Sequence, residues 1–168
     1  MNITAQQVNE LRKVTGSGMM DCKKALVESE GDMEKAIDIL RKKGMKVAAN
    51  RADREATEGV VIAKVSNDHK FAAAIMINCE TDFVAKNADF QALANKILDI
   101  AITSKPANLD ELKSLPMDGG KIGDKIIEYV GIIGEKIELA YYEKIEAAHV
   151  QAYIHPGSKL ATLVGFTK

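Results

Sequence analysis

Cysteine is scarce in this chain: of 168 residues only Cys22 and Cys79 carry thiols, far apart and each among apolar neighbours. That excludes a disulfide framework and suits reduced, buried thiols. Long apolar runs are lacking as well. No stretch approaches the roughly 18 residues that a membrane span needs, and the opening "MNITAQQVNELRK" lacks the charged-then-apolar order of a secretory signal, so the cytoplasm is the plain expectation. Nor does charge of one sign prevail. With 23 basic and 24 acidic residues the net charge is −1, which leaves no global field to gather nucleic acid or an anionic membrane. The one basic cluster, Arg41, Lys42, Lys43, Lys46, Arg51 and Arg54, has no aromatics between its cations on which bases could stack, and reads as a solvated helix face.

Signatures of chemistry are also absent. "GGKIGDK" and "GIIGEK" place glycines near lysines, without the spacing of a phosphate-binding loop or its hydroxyl residue for magnesium. "GSGMMD" has two of the three glycines of a dinucleotide loop, but no strand precedes it. None of His69, His149 and His155 stands at metal-ligand spacing from another histidine or from a cysteine. The expectation is therefore no metal and no cofactor; nothing marks a serine or cysteine as a nucleophile, though a nucleophile and its base meet in space and leave no pattern in one sequence.

What is present is enough apolar material, 46% of residues, to bury a real core. Thr4 and Gln7 form a capping box with Ile3 and Val8 at the staple positions, so a helix is expected from Thr4 through Val8 and Leu11 to the "TGSG" at 15–18. A second helix carries Met19, Cys22, Ala25 and Leu26 at helical spacing, and Asp32 caps a third with Met33, Ile37 and Leu40 on one stripe. Helices this short must pack together, because isolated helices below about 12–15 residues are marginal in water. A helical, solvated linker is expected over 41–56.

Beyond it, 58–65 and 70–79 read as two strands joined by the turn "SNDH". Asn87 caps a helix with Phe90, Leu93, Ala94, Ile97 and Ala101 on its apolar face, and a loop over 104–120 holds one helical turn. Another helix spans 121–133. A third strand over 136–145 alternates Ile137, Leu139 and Tyr141 against Glu138, Ala140 and Tyr142. The order is β-β-α-α-β, an α+β layer with a three-stranded antiparallel sheet packed on helices. "HVQAYI" and "KLATLVGF" around "HPGS" form a last hairpin, a weak echo of the first. Its apolar face needs a cover, from further chain or from a second copy in a homodimer.

Two features stay open on pattern alone. In "NCETDFVAKN" an acid and a phenylalanine stand between a strand and a helix; pattern favours Asp82 capping a turn and Phe83 filling the core, over a projecting loop. Met19 and Met20 lie about 100° apart on their helix, so one must leave the core, either as a harmless neighbour or as an apolar contact for a partner.

"LRKVTGSGMMDCKKAL" at 11–26 and "INCETDFVAKN" at 77–87 resemble the two signature segments of the elongation factor Ts family, in the family's order and with a lysine- and alanine-rich linker between them. The resemblance continues through "IGEKIELAYYEKIE" and "AYIHPGSKLATLVGF", and departs from the usual pattern at Met76 and Pro156. It implies a ubiquitin-associated-like three-helix domain over 1–44, a linker over 45–56, a core N-terminal subdomain over 57–146, and only the start of a C-terminal subdomain over 147–168. It implies a guanine-nucleotide exchange factor whose partner is elongation factor Tu, in which nothing is chemically transformed. Asp82 and Phe83 then disturb the magnesium side of the partner's GDP site, Thr81 shapes their turn, His155 meets the G domain nearby, and Arg12, Met19 and Met20 touch it from the N-terminal domain. The rival expectation is a plain protein-binding adaptor.

Overall fold

A computed structural model of the chain describes residues 3–167. Helices and antiparallel strands are mixed in the α+β manner, and the chain divides into two compact units. One runs to Asp53 and includes Ile127–Glu135; the other comprises Arg54–Ile126 and the chain from Lys136 onward.

The first unit is built on capped helices. In α1 (Ala5–Thr15) the Thr4 hydroxyl accepts from the Gln7 amide and the Gln7 side chain accepts from the Thr4 amide; the helix ends at Gly16, whose φ of 69° suits a residue without a Cβ. Helix α2 (Met19–Glu28) follows, and then α3 (Met33–Arg51), where Asp32 accepts from the Lys35 amide at 3.1 Å. Val8, Leu11, Cys22, Ala25, Leu26 and Ala36 make the core, with Ile3, Met33, Ile37, Ile39 and Leu40 packed around it.

Three details differ from the expected pattern. The third helix and the linker are one continuous α3 that stops at Arg51, so 52–56 is not helical. Within it Gly44 is buried, not solvated, because its backbone lies against Gly131. Met19, expected on the buried stripe, is 52% exposed; in the first turn its side chain leans N-terminally, off the end of the packed face of α2.

The second unit is centred on a sheet of order β1-β2-β5, all antiparallel: β1 is Glu58–Val65, β2 Phe71–Cys79 and β5 Ile137–Glu146. Helix α4 (Asp82–Ala85) follows β2, then α5 (Ala88–Ser104) and α6 (Leu109–Ser114). A two-residue ladder of β3 (Pro116–Met117) and β4 (Gly120–Lys121), unmarked in the sequence, precedes α7 (Ile122–Ile133). Cross-strand register puts Val60, Ile77 and Leu139 in one row and Ile62, Ile75 and Tyr142 in the next, all buried. Helix α5 packs on β1 and β2 with Phe90, Leu93, Ala94, Ile97, Leu98 and Ala101 buried.

Tyr141 was expected beside Leu139, but a bulge intervenes: Met76 pairs with Tyr141 and Ile77 with Leu139, leaving Ala140 as the extra residue. Past that point the faces exchange, so Tyr142 is buried, its hydroxyl donating to the Pro106 carbonyl at 3.0 Å, while Tyr141 is exposed. The last hairpin, β6 (His149–Ile154) and β7 (Ala161–Phe166), is a separate two-stranded sheet; Gly165 lies against Ile145 of β5 and Ala147 just beyond it, where a Cβ would come within 2.8 Å of the Ile145 methyl. Both cysteines are buried and neither is in a disulfide, and among the described residues no helix is long and apolar enough to cross a membrane.

Candidate functional site

The stretch between β2 and α5 is not a loose loop. Gly59 lets the sheet close tightly beneath it: at φ 144° its missing Cβ would stand 2.1 Å from the Ile77 carbonyl oxygen, where no side chain fits. The Asn78 side-chain Nδ2 donates to the Ala56 carbonyl at 2.8 Å, the Cys79 thiol to the Thr81 carbonyl at 3.2 Å, and the Lys136 backbone amide to the Glu80 carboxylate at 2.7 Å. Strand end, turn and the start of β5 are thus tied together.

On this base Thr81 caps α4. Its backbone is extended, its hydroxyl accepts from the Val84 amide and its carbonyl from the Ala85 amide. The Asn87 side chain then accepts from Asp89 and Phe90 to start α5, and the Gln91 side chain donates to the Ala85 carbonyl. A four-residue helix is held at both ends.

The reading of Asp82 as a cap and Phe83 as core is overturned. Thr81 is the cap, and Phe83 is 81% exposed, because Ala85 takes the inward position of this short helix. Asp82 instead pairs with Lys86 one turn on, at 2.6 Å, and that hydrogen bond holds its carboxyl below the ordinary carboxylate range. The result is a projecting aromatic ring beside an ionised acid.

His155 stands in the turn between β6 and β7. Pro156 and Gly157, with φ 90° at the glycine, have the residue order of a type II turn, and the His155 carbonyl accepts from the Ser158 amide at 2.9 Å. His155 Nδ1 lies 2.9 Å from the Tyr153 hydroxyl. A groove of about 210 Å³ runs between this turn and α4, lined by Gly59, Asp82, Lys86 and Gly157–Lys159 among others. The groove thus sets Asp82 of α4 beside the turn that follows His155, while Thr81, Phe83 and His155 themselves do not line it.

In the first unit Arg12 lies exposed in the last turn of α1, while Met19 and Met20, 52% and 63% exposed, open α2. Val14 on α1 is also exposed, which its i+3 spacing from Leu11 did not announce. Lys86 was missed too, although an acid followed by a lysine at i+4 is a readable pair. Among the described residues no three histidine, cysteine or carboxylate side chains converge on a possible metal position.

Comparison with known proteins adds an independent line. The family model for Elongation factor TS matches residues 80–168. Curated relatives named Elongation factor Ts include those of Amoebophilus asiaticus, 52% identical over 98% of this chain and 59% of its own length, and of Porphyromonas gingivalis, 52% identical over 100% and 61%. That of Bacteroides thetaiotaomicron is 48% identical over 100% of this chain and 51% of its own length. The chain thus spans about half to three-fifths of the length of the curated relatives it matches.

Proposed function

Because this chain belongs to the elongation factor Ts family, we propose that it binds elongation factor Tu carrying GDP and speeds release of the nucleotide, with α4 as the element that enters the partner. The observation that carries the proposal is the 81% exposure of Phe83 on a helix fixed at both ends. A free protein gains nothing by showing water a phenylalanine on a rigid mount, whereas burying it in a partner returns about 1.5–3 kcal/mol, the scale of an interface hot spot.

The consequence for the partner follows from metal geometry. Mg²⁺ bridges nucleotide phosphates in a G domain and tolerates little departure from octahedral coordination, so an aromatic ring and a carboxylate pressed in beside its ligands loosen both metal and GDP. By linkage, whatever weakens GDP is weakened by GDP, and the factor leaves when nucleotide returns. No bond in the factor is made or broken, so it acts as an exchange factor without catalytic residues, in the cytoplasm where translation proceeds.

The other contacts have separate parts. Thr81 sets the angle of α4, and His155 meets the G domain beside Phe83. Arg12, Met19 and Met20 dock the first unit, whose three N-terminal helices we take as a ubiquitin-associated-like domain over 1–44, followed by a linker over 45–56, a core subdomain over 57–146 and the start of another over 147–168. The exposed Tyr153, Val164 and Phe166 of the last hairpin offer a face for a second copy of the chain; sedimentation equilibrium showing only monomer at high concentration removes that homodimer. The main test is release of a fluorescent GDP from elongation factor Tu with and without the chain. Acceleration is expected, and an unchanged rate refutes the proposal.

A further inference from the structure

The turn that carries His155 is fastened to the sheet by two contacts outside its own hairpin. Val61 on β1 donates its amide to the Ser158 carbonyl at 2.7 Å, and the Lys159 ammonium pairs with the Glu58 carboxylate at the start of the same strand. On its other side Glu58 faces Cys79, the last residue of β2, which leads directly into α4. Residues 58–61 are therefore a shared rail, with the Phe83 helix anchored along one side and the His155 turn along the other.

Charges span the same gap. The groove between the turn and α4 is flanked by the ion pairs Asp82–Lys86 and Glu58–Lys159. Lys86 is held protonated chiefly by Asp82, with a further contribution from Glu58. Glu58 thus lies within electrostatic reach of both lysines, one on each element.

We infer that Glu58 and Lys159 are positioning residues, whose ion pair holds the His155 turn at a set place beside α4 so that Phe83 and His155 meet a partner as one pre-ordered edge. The inference rests on the exchange reading above and deepens it. Without the pair, only the Val61–Ser158 hydrogen bond of the two contacts holds the turn to β1, so the turn opens more often and its ordering must then be met from binding energy. The Lys159 and Glu58 side chains are 57% and 37% exposed, so the effect is modest, about two- to fivefold for a surface pair.

The test compares Glu58→Gln, Lys159→Met and Lys159→Arg with the wild-type chain. Two readings are taken: hydrogen exchange at the Val61 amide in the free chain, which reports docking of the turn, and acceleration of fluorescent GDP release from elongation factor Tu. Glu58→Gln and Lys159→Met should speed Val61 exchange and lower the acceleration, each about two- to fivefold, with the melting temperature lowered by no more than a few degrees. Lys159→Arg, which keeps the pair, should restore both. Variants that match an active wild type in either reading overturn this inference alone, whereas a wild type without effect on GDP release overturns the exchange reading and this inference with it.

Discussion

Truncation of Phe83 to alanine separates binding from stability. In the free chain the residue is 81% exposed, so about four-fifths of the ~1.5–3 kcal/mol available from full burial of a phenylalanine is ungained until a partner supplies the pocket. That is about 1.2–2.4 kcal/mol, or roughly an 8- to 60-fold loss in partner affinity. The same substitution should change folding stability by no more than about 0.5 kcal/mol, as at other exposed sites. Had Phe83 been core, the change would cost about 3–5 kcal/mol of stability. The assay pairs stopped-flow release of fluorescent GDP, with the chain below saturation, against urea unfolding of the chain alone. A stability loss near the core value, or an acceleration equal to wild type, refutes the reasoning.

Other substitutions test the frame around the site. Gly131→Ala should destabilise the first unit by about 1–3 kcal/mol, because its Cβ would stand 2.5 Å from the Gly44 Cα. Gly44→Ala, whose nearest contact would be an ordinary 3.5 Å, should instead stabilise α3 by up to about 1 kcal/mol in urea unfolding. Tyr142, chiefly desolvated by burial, has its phenol pushed up to about 12. The unfolded phenol ionises first, so stability conferred by the neutral form is complete below pH 10 and declines as pH rises towards about 12; Tyr142→Phe should lose that alkaline slope. The Asp82–Lys86 pair has an acid limit: the native carboxyl titrates below its ordinary 3.8, so the pair's contribution is present above that value and lost as pH falls through the native one. Wild type and Lys86→Met should accordingly differ slightly in urea unfolding at neutral pH and converge in strong acid.

The features legible in the sequence are those decided by a few adjacent residues. Thr4 with Gln7, Asp32 and Asn87 each announce a helix because the side chain that caps lies within three residues of the amide it accepts from. The Pro156–Gly157 turn is equally local. What escapes depends on partners remote in the chain. Gly44 meets Gly131 across 87 positions, and neither glycine in isolation distinguishes a close helix contact from a flexible point. Ala140 becomes a bulge only through its register with Met76 and Ile77, so strict alternation assigns Tyr141 and Tyr142 to the wrong faces.

Phe83 is the instructive case, since its orientation turns on one cap. An aromatic four residues after the end of a strand is core if Asp82 caps the helix and exposed if Thr81 does, and both can cap. With Thr81 as cap, Ala85 becomes the fourth helical residue and takes the inward position, leaving Phe83 about 160° away around the axis, on the side that faces water. Shifting that cap by one residue would rotate the ring by about 100° and draw it towards the sheet. The exposure that carries the functional proposal thus follows from Thr81 as the cap, and Thr81→Ala should loosen α4, release Phe83 from its set orientation and lower the acceleration of fluorescent GDP release.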